Sequence, residues 1–318
     1  MSKIHEEINL LVTIDEKYIT PLLTMMHSYA RFHEDIHTRL FIIHRTLSEE
    51  NLKQIKDDLK NSNIEVIGTK IENSFFEGIP LLERIPVESF DRILAFKYLP
   101  EDIDKCLYLD PDILINKSIL PLYDMNLDGY YIAAATHINC VINLINRIRL
   151  LMKDAKTYVN SGVVLMNLKQ MRSDFKIEEI QKLLKKFARV LFLGDQDMIN
   201  VLYGSKCIVL DDAIYNLDEK AYSRHVHRDN FNLERVKAET IFIHYNGKFK
   251  PWLKGYHGEL DVLYPEVKDK GPAPRGMMFK QFTSSLKILW PSAKYFVIDL
   301  LLLIGIIAII ALIVSLFI

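Results

Sequence analysis

The 318-residue chain is 49% apolar and 25% charged, enough for one large α/β domain or two small ones with an ample core. Forty lysines and arginines against 41 aspartates and glutamates leave a net charge near zero, which removes the electrostatic case for a nucleic-acid partner. Cys106, Cys140 and Cys207 are odd in number, far apart and form no CxxC, so a disulfide framework is not expected and a reducing compartment fits.

The N-terminus, MSKIHEEINLLV, lacks a long apolar stretch before a cleavage site and reads as the start of the fold, not as a signal peptide. INLLVTID (8–15) is a first buried strand. A helix from Pro21 to about Phe32 follows, with Thr20 as N-cap and Pro21 at the first helical position. TRLFIIHR is a second strand, SEENLKQIKDDLKN an amphipathic helix capped by Ser48, and IEVIGTKI a third strand. A loop-rich stretch runs to Pro86, then ESFDRILAFKYL predicts a helix that stops before Pro100. KCLYLDPDILI and YYIAAA are strands. Residues 137–158 predict a basic, apolar helical region. YVNSGVVLMNLKQMR is strand then helix, FLGDQDMINVLYG opens a short helix, and ETIFIHYNGKFKPW is a late strand running into a glycine loop. Strands alternating with helices predict an α/β fold, its mostly parallel sheet covered on both faces, with ligands bound at the strand C-terminal ends. Asp15, Asp110 and Asp112 fall at or just past such ends.

After DKGPAPRG (269–276), which reads as a linker, Leu300 to Ile318 form 19 residues without a charge. With the preceding VID the run spans roughly 30 Å as a helix, the thickness of a bilayer core. Trp290, Lys294 and Tyr295 are placed as interfacial anchors, and Lys280, Lys287 and Lys294 flank the N-terminal side. The expectation is a catalytic domain over 1–265, a membrane-proximal linker over 266–296 and a single transmembrane anchor over 297–318. The positive-inside tendency would leave the domain on the cytoplasmic face of the cell membrane. A buried core helix is the alternative.

The pair Asp110 and Asp112 raises the chemistry. Crowded carboxylates repel, so one stays protonated or a cation sits between them. Carboxylate oxygen suits Mg²⁺ or Mn²⁺, which could bridge to a diphosphate. Asp-Pro-Asp is also a good turn. The apolar LYL and ILI on either side place both acids in buried surroundings, where uncompensated charge costs several kcal/mol.

Five stretches in order, LVTIDEKY, FDRILAFKYLP...KCLYLDPDILI, YVNSGVVLMNL, GDQDMIN and HYNGKFKPW, resemble the retaining nucleotide-sugar glycosyltransferases of family 8, which include bacterial lipopolysaccharide galactosyl- and glucosyltransferases and glycogenin. The resemblance runs from about Asn9 to Tyr256. It implies a GT-A domain, a UDP-glucose or UDP-galactose donor, Mn²⁺ (or Mg²⁺), and a glycan, glycolipid or protein acceptor. It further implies that Asp110, Asp112 and His244 hold the metal, and that Thr13, Asp15 and Tyr18 line the uridine pocket. Arg92 would face the nucleotide-sugar, and Gly247 and Lys250 would contact the diphosphate. Asn160 would contact the donor sugar, with Asp195 and Gln196 nearest the reacting carbon. Read without the resemblance, His244 is a satisfied histidine near a strand end, Arg92 a solvated arginine, Asn160 a turn residue and Asp197 a helix cap. The chain has Thr136 and His137 where the family often carries an acid, which leaves the choice of hexose open. Two other readings fit paired acids or a tethered chain: a glycoside hydrolase, and a membrane-tethered sugar-nucleotide-binding protein whose catalytic groups have decayed.

Overall fold

Along β1 (Glu7–Thr13) the side chains alternate between two apolar clusters: Ile8, Leu10 and Val12 enter one, Leu11 the other. The same alternation runs through β2 (His37–His44), where Leu40 and Ile42 face one way and Phe41 and Ile43 the other. A strand buried on both faces needs a helical layer on each side. The computed structural model describes residues 7–71, 75, 87–247, 249–253, 256, 258–265 and 305, and shows those two layers.

One layer is α1 (Ile19–Ala30), α2 (Glu49–Leu59) and, beyond β3 (Ile64–Lys70), α4 (Leu120–Tyr123). The other begins with a 3-10 segment, Val87–Leu94, which runs into α3 (Ala95–Tyr98). It continues, after β4 (Lys105–Leu109), β5 (Ile113–Ile115), β6 (Ile132–Ala135), α5 (Cys140–Arg149) and β7 (Val163–Asn167), with α6 (Leu168–Asp174), α7 (Ile177–Phe187) and α8 (Asp195–Tyr203). The last sheet strand is β8 (Cys207–Leu210). A third, smaller cluster joins α9 (Asp212–Tyr215), α10 (Glu219–Asp229), α11 (Leu233–Glu239) and β9 (Phe242–His244) to Tyr245 and Tyr256.

The sheet order is β3-β2-β1-β4-β7-β6-β8, with β5 and β9 paired separately. All pairs in the large sheet are parallel except those of β7, which runs antiparallel to both β4 and β6. The sheet is therefore mixed, and this one reversal positions the site. It sets the N-terminal end of β7 beside the C-terminal end of β4, where the Asp110 N–H donates to Gly162 O at 2.8 Å.

Some local expectations need correcting. Thr20 does not cap α1; Tyr18 occupies that position and makes no side-chain cap bond. Ser48 does cap α2, in a reciprocal box with Asn51. The helix expected over ESFDRILAFKYL is mostly 3-10, and the tighter winding sets Arg92 Nε 3.0 Å from Ser89 O while Asp91 pairs with Arg45. Only Cys140–Arg149 of 137–158 is α-helical. Among the described residues no helix is long and apolar enough to cross a membrane. The linker 266–296 and, apart from Gly305, the span 297–318 lie outside the described residues.

Candidate active site

β4 delivers Asp110 and the DPD turn delivers Asp112 just before β5. β5 pairs antiparallel with β9 in a register that sets Ile113 opposite His244, and the Tyr245 N–H donates to Asp112 O at 3.0 Å. That pairing carries a histidine from the far end of the chain to the acids. His244 Nε2 lies 3.1 Å from Asp112 Oδ1 and 3.6 Å from Asp110 Oδ2. One ligand atom from each of the three residues lies within 4.8 Å of the others.

Asp112 Oδ1 and His244 Nε2 are both buried and make no hydrogen bond. Two such atoms left unsatisfied cost about 1–3 kcal/mol each, so they call for a partner between them. Two carboxylates and an imidazole gathered within 4.8 Å of one another are a donor set that suits a divalent cation such as Mg²⁺ or Mn²⁺. His244 is fixed from behind: its Nδ1–H donates to Asn216 Oδ1 at 2.9 Å, so Nε2 faces the acids, where it carries a proton that a bound cation would displace. Asn216 Nδ2 donates in turn to Asn160 Oδ1 at 2.9 Å.

The charges around the acids are arranged in two tiers. Burial works against ionising Asp112, but His244 and the Lys250 ammonium outweigh it and hold its carboxyl well below the usual carboxylate range. Lys250 Nζ is 2.5 Å from Asp112 Oδ2 and also donates to Tyr245 O. Arg92 is buried and forks between two acids, 2.7 Å from Asp110 Oδ1 and 3.3 Å from Asp195 Oδ2, with its guanidinium over the Tyr108 ring. Tyr108 OH donates to Asp110 Oδ1 and lies 3.2 Å from Thr13 Oγ1. Burial pushes the Asp195 carboxyl up, and Arg92 offsets this only in part.

α8 starts at Gly194, whose φ of 57° an L side chain rarely adopts. Its first turn holds Asp195, bonded by Ser161 Oγ, and Gln196, whose Oε1 accepts from Asn160 Nδ2 at 3.1 Å. Asp197 is fully buried; it accepts from Arg149 and Tyr158 and reaches back to the Leu193 N–H. It is therefore not the helix cap, a position held by Gly194 without a side-chain cap bond; Asp197 instead ties α5 to α8.

A sequence model of the family described as glycosyl transferase family 8 matches residues 9–255. The chain belongs to that family. The Escherichia coli K12 lipopolysaccharide 1,2-glucosyltransferase is 24% identical over 269 residues, 83% of this chain and 76% of that protein. Glycosyltransferase GlyF of Streptococcus pneumoniae serotype 4 is 23% identical over 249 residues, 77% of this chain but only 57% of GlyF. Among solved structures, the galactosyltransferase LgtC in complex with donor and acceptor sugar analogs matches with a TM-score of 0.64 at 26% identity, over 77% of this chain and 90% of that one. The fold of this family 8 glycosyltransferase is GT-A.

Within the family 8 domain, the residues expected from the sequence fall into one connected group and a fringe. Asp110, Asp112, His244, Lys250, Arg92, Asp195, Gln196 and Asn160 are linked by the contacts above. Thr13 joins through Tyr108. Tyr18 stands close by: burial first, then Asp112, Asp110 and Asp15, push its phenol up to about 12. Asp15 itself accepts from the Lys17 N–H as the cap of a 3-10 turn. Gly247 is exposed, and the nearest atom to a Cβ placed there would be Phe249 O at 3.8 Å. Asp110 and Asp112 converge on one histidine and do not flank a space the size of a sugar ring, which removes the hydrolase reading of this pair.

Sequence reasoning missed Gly162, Asn216 and Tyr108. A Cβ on Gly162 would lie 2.2 Å from His244 Cε1 and 2.9 Å from Asp110 Oδ2, so only glycine lets the histidine approach. The NSG triplet before a buried strand is a signal for such a close approach. Asn216 has none; it is one polar residue in AIYNLDE. His137 lies with Nδ1 3.4 Å from Asp218 Oδ2 and Nε2 against Asn216 O.

Proposed function

We propose that this chain is a metal-dependent retaining hexosyltransferase that moves glucose or galactose from a UDP-sugar to a glycan or lipid-linked acceptor. The observation that carries the reading is the buried group Asp110, Asp112 and His244 with its two unsatisfied atoms aimed at one space. Mn²⁺ or Mg²⁺ suits two carboxylates and an imidazole, and supplies Lewis acidity toward a diphosphate leaving group. The relatives named as lipopolysaccharide glucosyl- and galactosyltransferases support a hexose and a glycan.

The chain's own groups do the rest. Thr13, Asp15 and Tyr18 would receive the uridine at the end of β1. Gly247 would leave main chain open to the diphosphate, and Lys250, held by Asp112 and Tyr245 O, would supply a point charge beside it. Arg92 sets the spacing of Asp110 and Asp195. Asn160 and Gln196, bonded to each other, would bind the donor sugar. Asp195 is engaged by Arg92 and Ser161, which favours front-face transfer over attack by this carboxylate. In that course the leaving phosphate oxygen takes the acceptor proton, and no protein base is needed. The test is a screen of UDP-sugars for UDP release after EDTA treatment, with Mn²⁺ or Mg²⁺ then restored. Full turnover in excess EDTA would sink the metal assignment.

Asn216→Ala should lower Mn²⁺ affinity about 10–100-fold, the usual effect of losing the partner that orients a histidine ligand. Electron paramagnetic resonance of free Mn²⁺ measures this without turnover. Unchanged affinity would mean that Asn216 does not orient His244.

Lys250→Ala should lower kcat more than it raises KM, because its charge matters most as UDP departs. A large rise in KM at constant kcat would instead assign the lysine to uniform binding.

We also propose that residues 297–318 anchor the domain at the cytoplasmic membrane face. Deleting everything after Gly276 should give a soluble protein that still binds UDP-sugar. Transfer to a membrane acceptor should fall far more, because tethering raises local acceptor concentration to about the mM range. A truncated protein that aggregates would show that this run packs on the domain.

A further inference from the structure

α5 is built inside out. Its inward stripe, 143–146–150, reads Asn, Asn, Leu. Asn139 caps the helix by accepting from the Ile142 N–H, Asn143 Oδ1 accepts from the Tyr158 N–H, and the buried Asn146 accepts from Arg149. Its outward stripe, 140–144–148–151, reads Cys, Leu, Ile, Leu. Leu144, Ile148 and Leu151 are 48%, 58% and 60% exposed. A surface helix normally turns its apolar stripe to the core. Here hydrogen bonds hold the polar stripe inward, and the apolar one faces solvent.

Two neighbouring features extend this face. Leu151 ends α5 at a φ of 54°, while the Met152 N–H closes the turn on Arg147 O. That position usually goes to glycine or asparagine. Holding a leucine there, with its side chain in water, is strain that the fold keeps. Phe192, with Arg149 over its ring, and Leu193 are also more than half exposed. With Leu144, Ile148 and Leu151 they make five of the twelve large apolar side chains exposed among the described residues. A patch of this concentration marks an interaction surface.

Charge selects the occupant. No Asp or Glu occurs from Thr136 to Lys153, and the segment 147–156 carries Arg147, Arg149, Lys153 and Lys156 against one acid, Asp154. An apolar face in a basic segment, on a helix without acids, is the pattern of helices that lie in the interface of an anionic bilayer. We propose that the outward face of α5, continued by Leu151, docks on an anionic lipid surface. Arg149 and Tyr158 both bond Asp197, in the same turn of α8 as Asp195 and Gln196. Docking through α5 would therefore hold the first turn of α8 near the membrane that carries the acceptor. The inference stands apart from the proposed anchor: it requires α5 itself to enter the interface, however the chain is held there.

Cys140 provides the probe. It is exposed on the outward stripe, whereas Cys106 and Cys207 are buried, and burial pushes both their thiols up to about 12. A nitroxide on Cys140 of the full chain is followed by its collisions with oxygen and with a water-soluble nickel chelate. Vesicles of phosphatidylglycerol should suppress nickel collisions and raise oxygen collisions. Phosphatidylcholine vesicles should do so much less. Leu144→Gln with Ile148→Gln should restore nickel access while UDP binding, a check of folding, is unchanged. Co-sedimentation of the same samples separates attachment of the chain from immersion of α5. Three results would each overturn the proposal: nickel access that phosphatidylglycerol leaves unchanged, a label shielded before any lipid is added (this face is then covered by the chain's own C-terminal run), and dipolar coupling between labels (it is then covered by a second copy).

Discussion

Asp112→Asn is expected to lose divalent-cation binding and to slow transfer by about 10³-fold, while the protein still folds. The carboxylate has two jobs, one for each oxygen. Oδ2 meets Lys250, and Oδ1 is buried with no hydrogen bond, facing His244 Nε2. An amide keeps the shape of the side chain but removes the charge. It also leaves the Lys250 ammonium and the His244 ring without their compensating anion. A cation that contributes several kcal/mol to stabilising a leaving group corresponds to a loss of about three powers of ten in rate. The fold should survive, because what holds the turn here is the main-chain bond from Tyr245 N to Asp112 O, which the substitution keeps. The measurement is Mn²⁺ affinity by electron paramagnetic resonance beside single-turnover transfer at saturating Mn²⁺. Near-wild-type turnover would refute the assignment.

Gly162→Ala should be nearly as damaging, although it adds a single methyl group. The added carbon would lie 2.2 Å from His244 Cε1 and 2.8 Å from Nδ1, closer than atoms can approach. Retreat is costly on both sides. His244 is locked by Asn216 and by the β5–β9 pairing, while Gly162 is locked by its main-chain bond to Asp110. Overpacking of this kind costs about 1–3 kcal/mol of stability. The larger effect is on the site. A shift of about 1 Å in a catalytic constellation can cost on the order of 10²-fold in rate. Cation affinity should fall with it, and a melting curve should show a stable but less stable protein. An alanine variant that binds Mn²⁺ as the parent does would show that His244 can move freely and is no fixed ligand.

Much of this was readable in order along the chain. Continuous apolar runs in INLLVTID and TRLFIIHR identified buried strands, and Ser48 marked a helix start, to which the structure adds Asn51 as its reciprocal partner. The acids of the DPD turn stood out because charge at the end of an apolar strand needs a reason. The 3-10 segment before α3 was not readable. ESFDRILAFKYL has helical periodicity, but Asp91 is drawn to Arg45 while Arg92 is drawn to Asp110 and Asp195, and those partners lie elsewhere in the chain.

By itself, then, the sequence determined which residues would be apolar on which face, where the acids sat and which family the motifs resembled. Those are local properties, set by the spacing of side chains along one segment. Tertiary structure alone decided that β7 runs antiparallel, and so that Asn160, Ser161 and Gly162 border Asp110. It alone brought His244 to Asp112 through the β5–β9 register, and recruited Asn216 behind it. It also turned the apolar stripe of α5 outward. The physical reason is common to all three. Periodicity fixes that a face is apolar or polar, whereas its neighbour is fixed by hydrogen bonds between segments distant in the chain.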